Sequence, residues 1–583
     1  MKHRAQQLLP LLLCVAFLPL CALFLHPWVE IGIVDDFSYV RTAQVLANTG
    51  HIVYNGWATA MLGWQLYVGA LMIKLFGFSF AAARVGTLLM SMVTAALMHR
   101  LLVRLRITPW NAAAITLAFL ASATWLAVTF SFMSDVYGMV AMLPCIYGCV
   151  RALQTTEESH AAYWLCFAAV FNTVMGTARQ ISWLGVLVMV PCTLWLLRRN
   201  RKAMLAGVPC TLLCIAGVFA CLHWFNRQPY AIVEHLLPPQ RPGIKLLVMR
   251  LIQFGVQAGF ELLLLSLPLL IALLPLAFRN RRAMKAAALW LLFVIVRLAY
   301  LHHVHKLFVW EIPYGYNNFW NEGFEYTRAY LGHAPLMITP LMRHSFLGLL
   351  IAAELGLIAL FFLPTHTPVP QHTTSDSSRK LSNFELLVLF GPCTVAYIAL
   401  LIPRYIPVPR VLDRYMLFPE FVLLFVAVRL YQERVADHLP RTVWLSIALL
   451  SIFYVIGMRD AFSLFNAEAG LLHQVEASGV PRQQIDGGIQ FNGWTQIMTA
   501  GSLNDPRIVK PIGTYTPIEP IENNSCITNG SDETPVVHGK YVISYDPNAC
   551  GGRAPEFAPY RFHTFFKPQE RSLYMVKGPE YLH

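Results

Sequence analysis

Two adjacent aspartates, Asp35 and Asp36, follow directly on the first long apolar run of the chain, in GIVDDFSYVRTAQ. A carboxylate within hydrogen-bond reach of a hydroxyl takes its proton as the oxygen attacks an electrophile. A third acid, Asp135, stands in SFMSDVYGM between two further apolar runs. Four arginines interrupt apolar sequence in the same way. Arg179 precedes Gln180 in GTARQISW, and Arg404, Arg410 and Arg414 punctuate IPRYIPVPRVLDRYMLFPE, a stretch stiffened by prolines. Guanidinium groups grip phosphate in bidentate fashion, so a cluster of them at a membrane interface suits a lipid phosphate. Each group also has a plainer reading. The acids would be solvated helix-end charges, with Asp135 complementing a helix dipole, and the arginines would snorkel toward ordinary headgroups.

What must position these groups is a set of membrane helices. Of 583 residues, 56% are hydrophobic and only 13% charged, against about 25% charged in a soluble domain. Mean hydropathy is +0.52, and apolar runs recur at about 17–25 residues, the span of a bilayer core. The net charge of +13 lies in short clusters between those runs, without a basic face or a binding motif, which argues against nucleic acid. It follows the positive-inside bias of membrane proteins instead.

Lys2, His3 and Arg4 precede a first run at residues 8–26, read as a retained helix with its N-terminus inside. Twelve more spans are predicted near residues 83–99, 108–130, 136–153, 161–177, 181–197, 203–223, 256–278, 286–301, 344–363, 384–402, 415–430 and 442–458. The clusters at Arg100–Arg106, Arg198–Lys202, Arg279–Lys285 and Arg379–Lys380 then fall inside. Asp35, Asp36, Asp135, Arg179 and Arg404–Arg414 fall together on the outer face, where the same bias normally depletes arginine. Residues 36–82 form a long external loop, with FSYVRTAQVLANTG and WQLYVGALMIKLFG as interfacial helices.

From about residue 460 the chain turns rich in Gly, Pro, Asn and Thr, with strand-like KYVISYD and RSLYMVKG. The expected fold class is therefore an all-α polytopic membrane protein of about thirteen transmembrane helices. It divides into a transmembrane domain, 1–459, and a small external α+β or β-rich C-terminal domain, 460–583. Ten of the twelve cysteines lie in or beside apolar spans, where a free thiol behaves as a small hydrophobe. Cys526 and Cys550 stand alone in the external tail, a plausible disulfide in an oxidising compartment.

The chain resembles the GT-C superfamily of integral-membrane glycosyltransferases, on the branch of the protein O-mannosyltransferases and the lipid A aminoarabinose transferases. The resemblance is carried by the apolar first span followed by DDFSYVRTAQVLANTG, by LFGFSFAAARVGTLL, by DRYMLFP and by GVPRQQIDGGIQFNGW. It implies a GT-C fold and an inverting transfer of a sugar from a polyprenyl-phosphate carrier to an acceptor hydroxyl or phosphate on the outer, periplasmic face of a bacterial inner membrane. By that resemblance Asp35 is the catalytic aspartate and Asp135 the second acidic position. Arg179, Arg404, Arg410 and Arg414 would hold the donor phosphate as it leaves with negative charge. Tyr39, Gln180, Glu311 and Tyr415 would line the substrate. Asp36 is either a second acid or the cap of the interfacial helix.

The sequence departs from that pattern in one place. Relatives often carry a Lys-Pro-Pro element in the first loop, where this chain reads YNGWATAMLGWQLY with no basic residue. The aromatic loop at 302–330, which includes Glu311, is available to a sugar or acceptor by stacking. His302, His303 and His305 lie in it without a positioned carboxylate or Cys partner, so no metal site is assigned to them. A divalent ion between Asp35 and Asp135 is chemically open, although the branch is not generally held to need one, and no cofactor beyond the lipid-linked sugar is expected. The expected partners are that donor, membrane lipid and a protein or glycolipid acceptor. A transporter or lipid-linked-sugar flippase is the rival class, weakened by the lack of an internal repeat.

Overall fold

The structure is a computed structural model. It describes residues 2–57, 62–232, 243–303, 319–320, 323–324, 330–334, 338–364, 379–407, 411–518, 526, 528, 530–566, 568 and 570–579. Glu311, His305 and Arg410 lie outside the described residues.

Long apolar sequences bury or shield their backbone polar groups by closing them into helices, the form a single segment takes in lipid. α1 (Lys2–Leu25) is followed by two shorter helices, α2 (Asp36–Thr49) and α3 (Trp64–Phe76), then by α4 (Phe80–Arg104). At 14 and 13 residues α2 and α3 are each about 20 Å long, too short to cross a bilayer core of about 30 Å. They occupy the stretch between the first two long helices, at the positions expected of interfacial helices.

Eleven helices among the described residues are long and apolar enough to cross a membrane. The remaining two of the thirteen expected spans are present in altered form. Residues 108–130 fold as α5 (Pro109–Leu120) and α6 (Ala123–Thr129), bent by 72°. Ser122 makes the break: its hydroxyl accepts the Trp125 amide at 3.2 Å and so caps a new helix in place of continuing the old one.

After α7 (Ser134–Gln154) and α8 (Glu158–Met175), the segment expected at 181–197 is irregular. It passes through a 3₁₀ turn (Gln180–Trp183) and a π turn (Gly185–Met189) before α9 (Val190–Leu196). Asn172 supplies the freed backbone groups with partners. Its amide donates to the carbonyls of Ala141 at 3.1 Å and Ser182 at 3.0 Å and accepts from the Val186 amide at 2.8 Å. A Cβ at Gly185 would meet that side chain at 2.6 Å, so the close approach requires glycine there.

The bundle continues with α10 (Arg201–Phe225), α11 (Ile244–Leu270), α12 (Arg281–His303), α13 (Pro340–Phe362), α14 (Asn383–Ala399) and α15 (Leu417–Arg434). α16 (Arg441–Ala477) runs unbroken through residues 459 and 460. Its 37 residues measure about 55 Å, so its last turns project beyond the hydrocarbon layer.

The C-terminal region packs on that projection. α17 (Ile489–Ala500) and a four-stranded sheet of β1 (Ile485–Asp486), β2 (Tyr541–Ser544), β3 (Tyr560–His563) and β4 (Glu570–Lys577) make it up. The strand order is β1-β2-β4-β3; β1 runs parallel to β2, and β4 is antiparallel to both its neighbours. Asp460 on α16 accepts the amides of Phe565 at 2.7 Å and Phe566 at 3.1 Å, which pins the turn after β3 to the helix. A disulfide joins Cys526 and Cys550.

Candidate active site

The acidic pair is divided by the backbone that carries it. Val34 adopts a φ of +55°, a costly left-handed conformation for a β-branched residue. The chain thereby enters α2 with Asp35 at the N-cap position and Asp36 as the first helical residue. Asp36 turns back into the core, where its Oδ1 accepts the Ile33 amide at 2.7 Å. Its Oδ2 accepts Arg84 Nε at 2.9 Å and the Phe132 amide at 3.2 Å. Arg84 also donates to the carbonyls of Val29 and Ile31, and both side chains of the pair are buried. Asp36 therefore neither faces the site nor caps α2 in the manner the sequence suggests; it locks the loop to α4.

Asp35 faces the other way. Its Oδ1 accepts the indole N–H of Trp57 at 3.0 Å, and its Oδ2 lies 3.2 Å from Nη2 of Arg414. The carboxylate stays 29% exposed, which leaves it open to a substrate, whereas the Asp135 side chain is fully buried. Asp135, at the start of α7, pairs with Arg179 at 2.7 Å, and Arg179 donates as well to the Ser134 hydroxyl at 3.3 Å. Asp35 and Asp135 thus each face an arginine.

Tyr415 is the hub of the basic groups. Arg404 donates to its hydroxyl at 3.0 Å. The guanidinium carbons of Arg179, Arg404 and Arg414 lie 5.2, 5.3 and 5.8 Å from its ring centroid. Cation–π contact holds like charges together around one aromatic ring. Arg179 comes from the irregular turn after α8 and the other two from the segment before α15, so residues some 225 positions apart meet here. The Arg414 amide donates to Asp413 at 2.7 Å, fixing the turn that presents the side chain. Gln180 follows Arg179 at the start of the 3₁₀ turn.

Tyr39, on α2, is buried under the same groups. Burial first, then the charges of Asp35 and Asp135, push its phenol up, while a hydrogen bond with Ser134 and the charge of Arg414 oppose them.

The C-terminal region reaches this site, which the sequence does not disclose. The Leu503 amide donates to the Asn55 carbonyl at 2.9 Å. The Asn55 amide in turn grips α2, donating to the Ser38 carbonyl at 2.9 Å and accepting from the Ser38 hydroxyl at 2.8 Å. Two residues on is Trp57, the donor to Asp35. Gly493 of α17 sits against Phe37, where a Cβ would lie 2.6 Å from the ring. Glu533 carries its carboxyl into the field of Asp35; burial, then Asp532, Asp505 and Asp35, raise it to about 7.

Among the described residues no three His, Cys, Asp or Glu side chains converge as a metal site. No family model and no curated protein matches the chain in sequence. Solved structures similar in fold are those of ArnT from Cupriavidus metallidurans and of the arabinofuranosyltransferase AftD from Mycobacteria. For ArnT bound to undecaprenyl phosphate, identity is 13%, coverage 97% of each chain and the TM-score 0.36. For apo ArnT the values are 15% identity, 82% of this chain, 81% of that one and 0.33. AftD gives 16% identity and 0.31 over 68% of this chain and 27% of its own. What the site does is read from its own residues.

Proposed function

We propose that the chain is a glycosyltransferase that moves a sugar from a polyprenyl-phosphate donor to an acceptor hydroxyl or phosphate, with inversion. The observation that carries this reading is the open Asp35 carboxylate set against the arginines around Tyr415.

Transfer to a hydroxyl balances on these groups alone. Asp35 takes the acceptor proton while the acceptor oxygen bonds to the anomeric carbon from the face opposite the phosphate. The bond from that carbon to the phosphate oxygen breaks, and its electron pair leaves on the prenyl phosphate. Negative charge grows on the leaving group, and Arg404, Arg414 and Arg179 supply the positive charge that stabilises it. Trp57 orients Asp35 without competing for the proton it takes. We read Asp135 as a positioning residue that holds Arg179, since its buried carboxylate already has a guanidinium 2.7 Å away. The absence of a basic residue in YNGWATAMLGWQLY is met by Arg414, which approaches the first loop from the far end of the sequence. The outer-face assignment, in a bacterial inner membrane with the tail periplasmic, rests on the basic clusters between the spans.

The experiment is sugar transfer in membranes containing the full chain, supplied with radiolabelled polyprenyl-phosphate sugars, with wild type against Asp35→Asn. Transfer by the wild type that disappears in the variant at equal protein level supports the reading. Equal transfer by both removes Asp35 as the base. If neither transfers any donor, a transporter becomes the better account, with Glu261 and Glu420 buried in its spans as the groups to test.

A further inference from the structure

At the opposite end of the bundle, α12 and α13 enclose a groove of about 520 Å³. Arg282 and Lys285 line one end, and Leu289 and Trp290 of α12 with Ile358 and Phe362 of α13 line the rest. Trp290 donates to Glu354 at 2.8 Å, which ties the two walls together and sets the width between them. Its distance from the catalytic region follows from α15. That helix starts beside Arg414 and ends at Arg434, whose guanidinium donates to the carbonyls of Leu360 at 3.1 Å and Leu363 at 3.2 Å. Eighteen residues of helix, about 27 Å, therefore separate the end of α13 from the site.

Snorkelling alone explains single cations at a helix end. Here two share one face of α12 at i and i+3 and open onto an apolar trough, and neither has an acidic partner among the described residues. A soluble anion satisfies the two cations and leaves the trough unfilled. A bare hydrocarbon chain fills the trough and leaves the cations without a counter-charge. Basic pockets between membrane helices take lipids that supply both.

We propose that this groove binds an anionic phospholipid of the inner-face leaflet, with its phosphate on Arg282 and Lys285 and an acyl chain along Leu289, Trp290 and Phe362. The site is separate from the sugar-transfer site and does not depend on that reading. Ala286, next to Lys285 in sequence, also lines the groove, so a larger side chain there fills it and leaves the charges in place.

The test is native mass spectrometry of the full chain titrated with phosphatidylglycerol or phosphatidylcholine of the same acyl composition. Wild type should bind phosphatidylglycerol at least tenfold more tightly. Arg282→Gln with Lys285→Gln should abolish that preference, and Ala286→Trp should abolish binding although every charge remains. An equal response of wild type to the two lipids, or full binding by Ala286→Trp, overturns the proposal. So does displacement of the phospholipid by inorganic phosphate, which would make the groove an anion site. Displacement by equimolar prenyl phosphate overturns it too and assigns the groove to the carrier lipid.

Discussion

Asp35 and Asp36 are neighbours in sequence and point to opposite sides of one turn: Asp36 is sealed against Arg84 at 2.9 Å, while Asp35 meets Trp57 and Arg414 at an open mouth. Replacement of each by Asn should therefore fail differently. Asp35→Asn should lose transfer by about 10²–10⁴-fold, the worth of a positioned base, with little change in thermal midpoint. Asp36→Asn leaves the buried Arg84 charge uncompensated and should cost about 3–5 kcal/mol of stability. Thermal unfolding in detergent, beside the transfer assay, separates the two.

Trp57→Phe keeps a ring against Phe37, 6.1 Å away between centroids, and removes the donor to Asp35. A hydrogen bond to a charged group contributes about 1.5–3 kcal/mol. If that support is used in the transition state, kcat should drop by about tenfold or more, and the midpoint should change little because water can replace the indole at the part-exposed carboxylate. An unchanged kcat would show that Arg414 orients Asp35 alone.

The Asp135–Arg179 pair should be strongly coupled. Asp135→Asn and Arg179→Gln each leave one buried charge unpaired, a loss of about 3–5 kcal/mol. The double variant leaves none and should be more stable than the sum of the single losses implies, by about 0.5–3 kcal/mol. Donor binding should stay weak in it, because one of the guanidinium groups proposed to hold the phosphate is gone. A strictly additive cycle would contradict the pairing.

Glu533 makes stability depend on pH in a definite direction. Its carboxyl is raised from 4.5 to about 7 on folding. The folded state therefore holds a proton that the unfolded state has released, and stability falls as pH rises across that window. Glu533's contribution is fully present below about pH 4.5 and lost above about pH 7. The thermal midpoint of wild type should fall from pH 5 to pH 8 more steeply than that of Glu533→Gln. Parallel curves would refute the assignment.

Gly493→Val tests the tail's hold on the acid turn. The added carbon meets Phe37 at 2.6 Å, so transfer should fall although no polar group of the site is altered. A wild-type rate would mean that the turn keeps its geometry without α17.

Much of this was legible in the chain itself, because the signals are local. Apolar runs of bilayer length announce helices wherever they fold, and Arg179, Arg404, Arg414 and Asp35 stood out as charges interrupting apolar sequence. The breaks at Ser122 and Gly185 were not legible, because one depends on a cap competing with helix continuation and the other on Asn172 from a different helix. The roles of the two adjacent aspartates were equally hidden: DD reads as a symmetrical pair, and only the left-handed turn at Val34 and the position of Arg84 distinguish them.

The sequence by itself determined that this is a polytopic membrane protein with acids and arginines gathered on one face, since hydropathy and charge placement act residue by residue. The tertiary structure alone decided which acid is open and which arginine each acid meets. It also decided that Leu503 and Gly493, about 450 positions further along, brace the first loop. Those outcomes depend on distances between segments remote in sequence, and no local propensity encodes them.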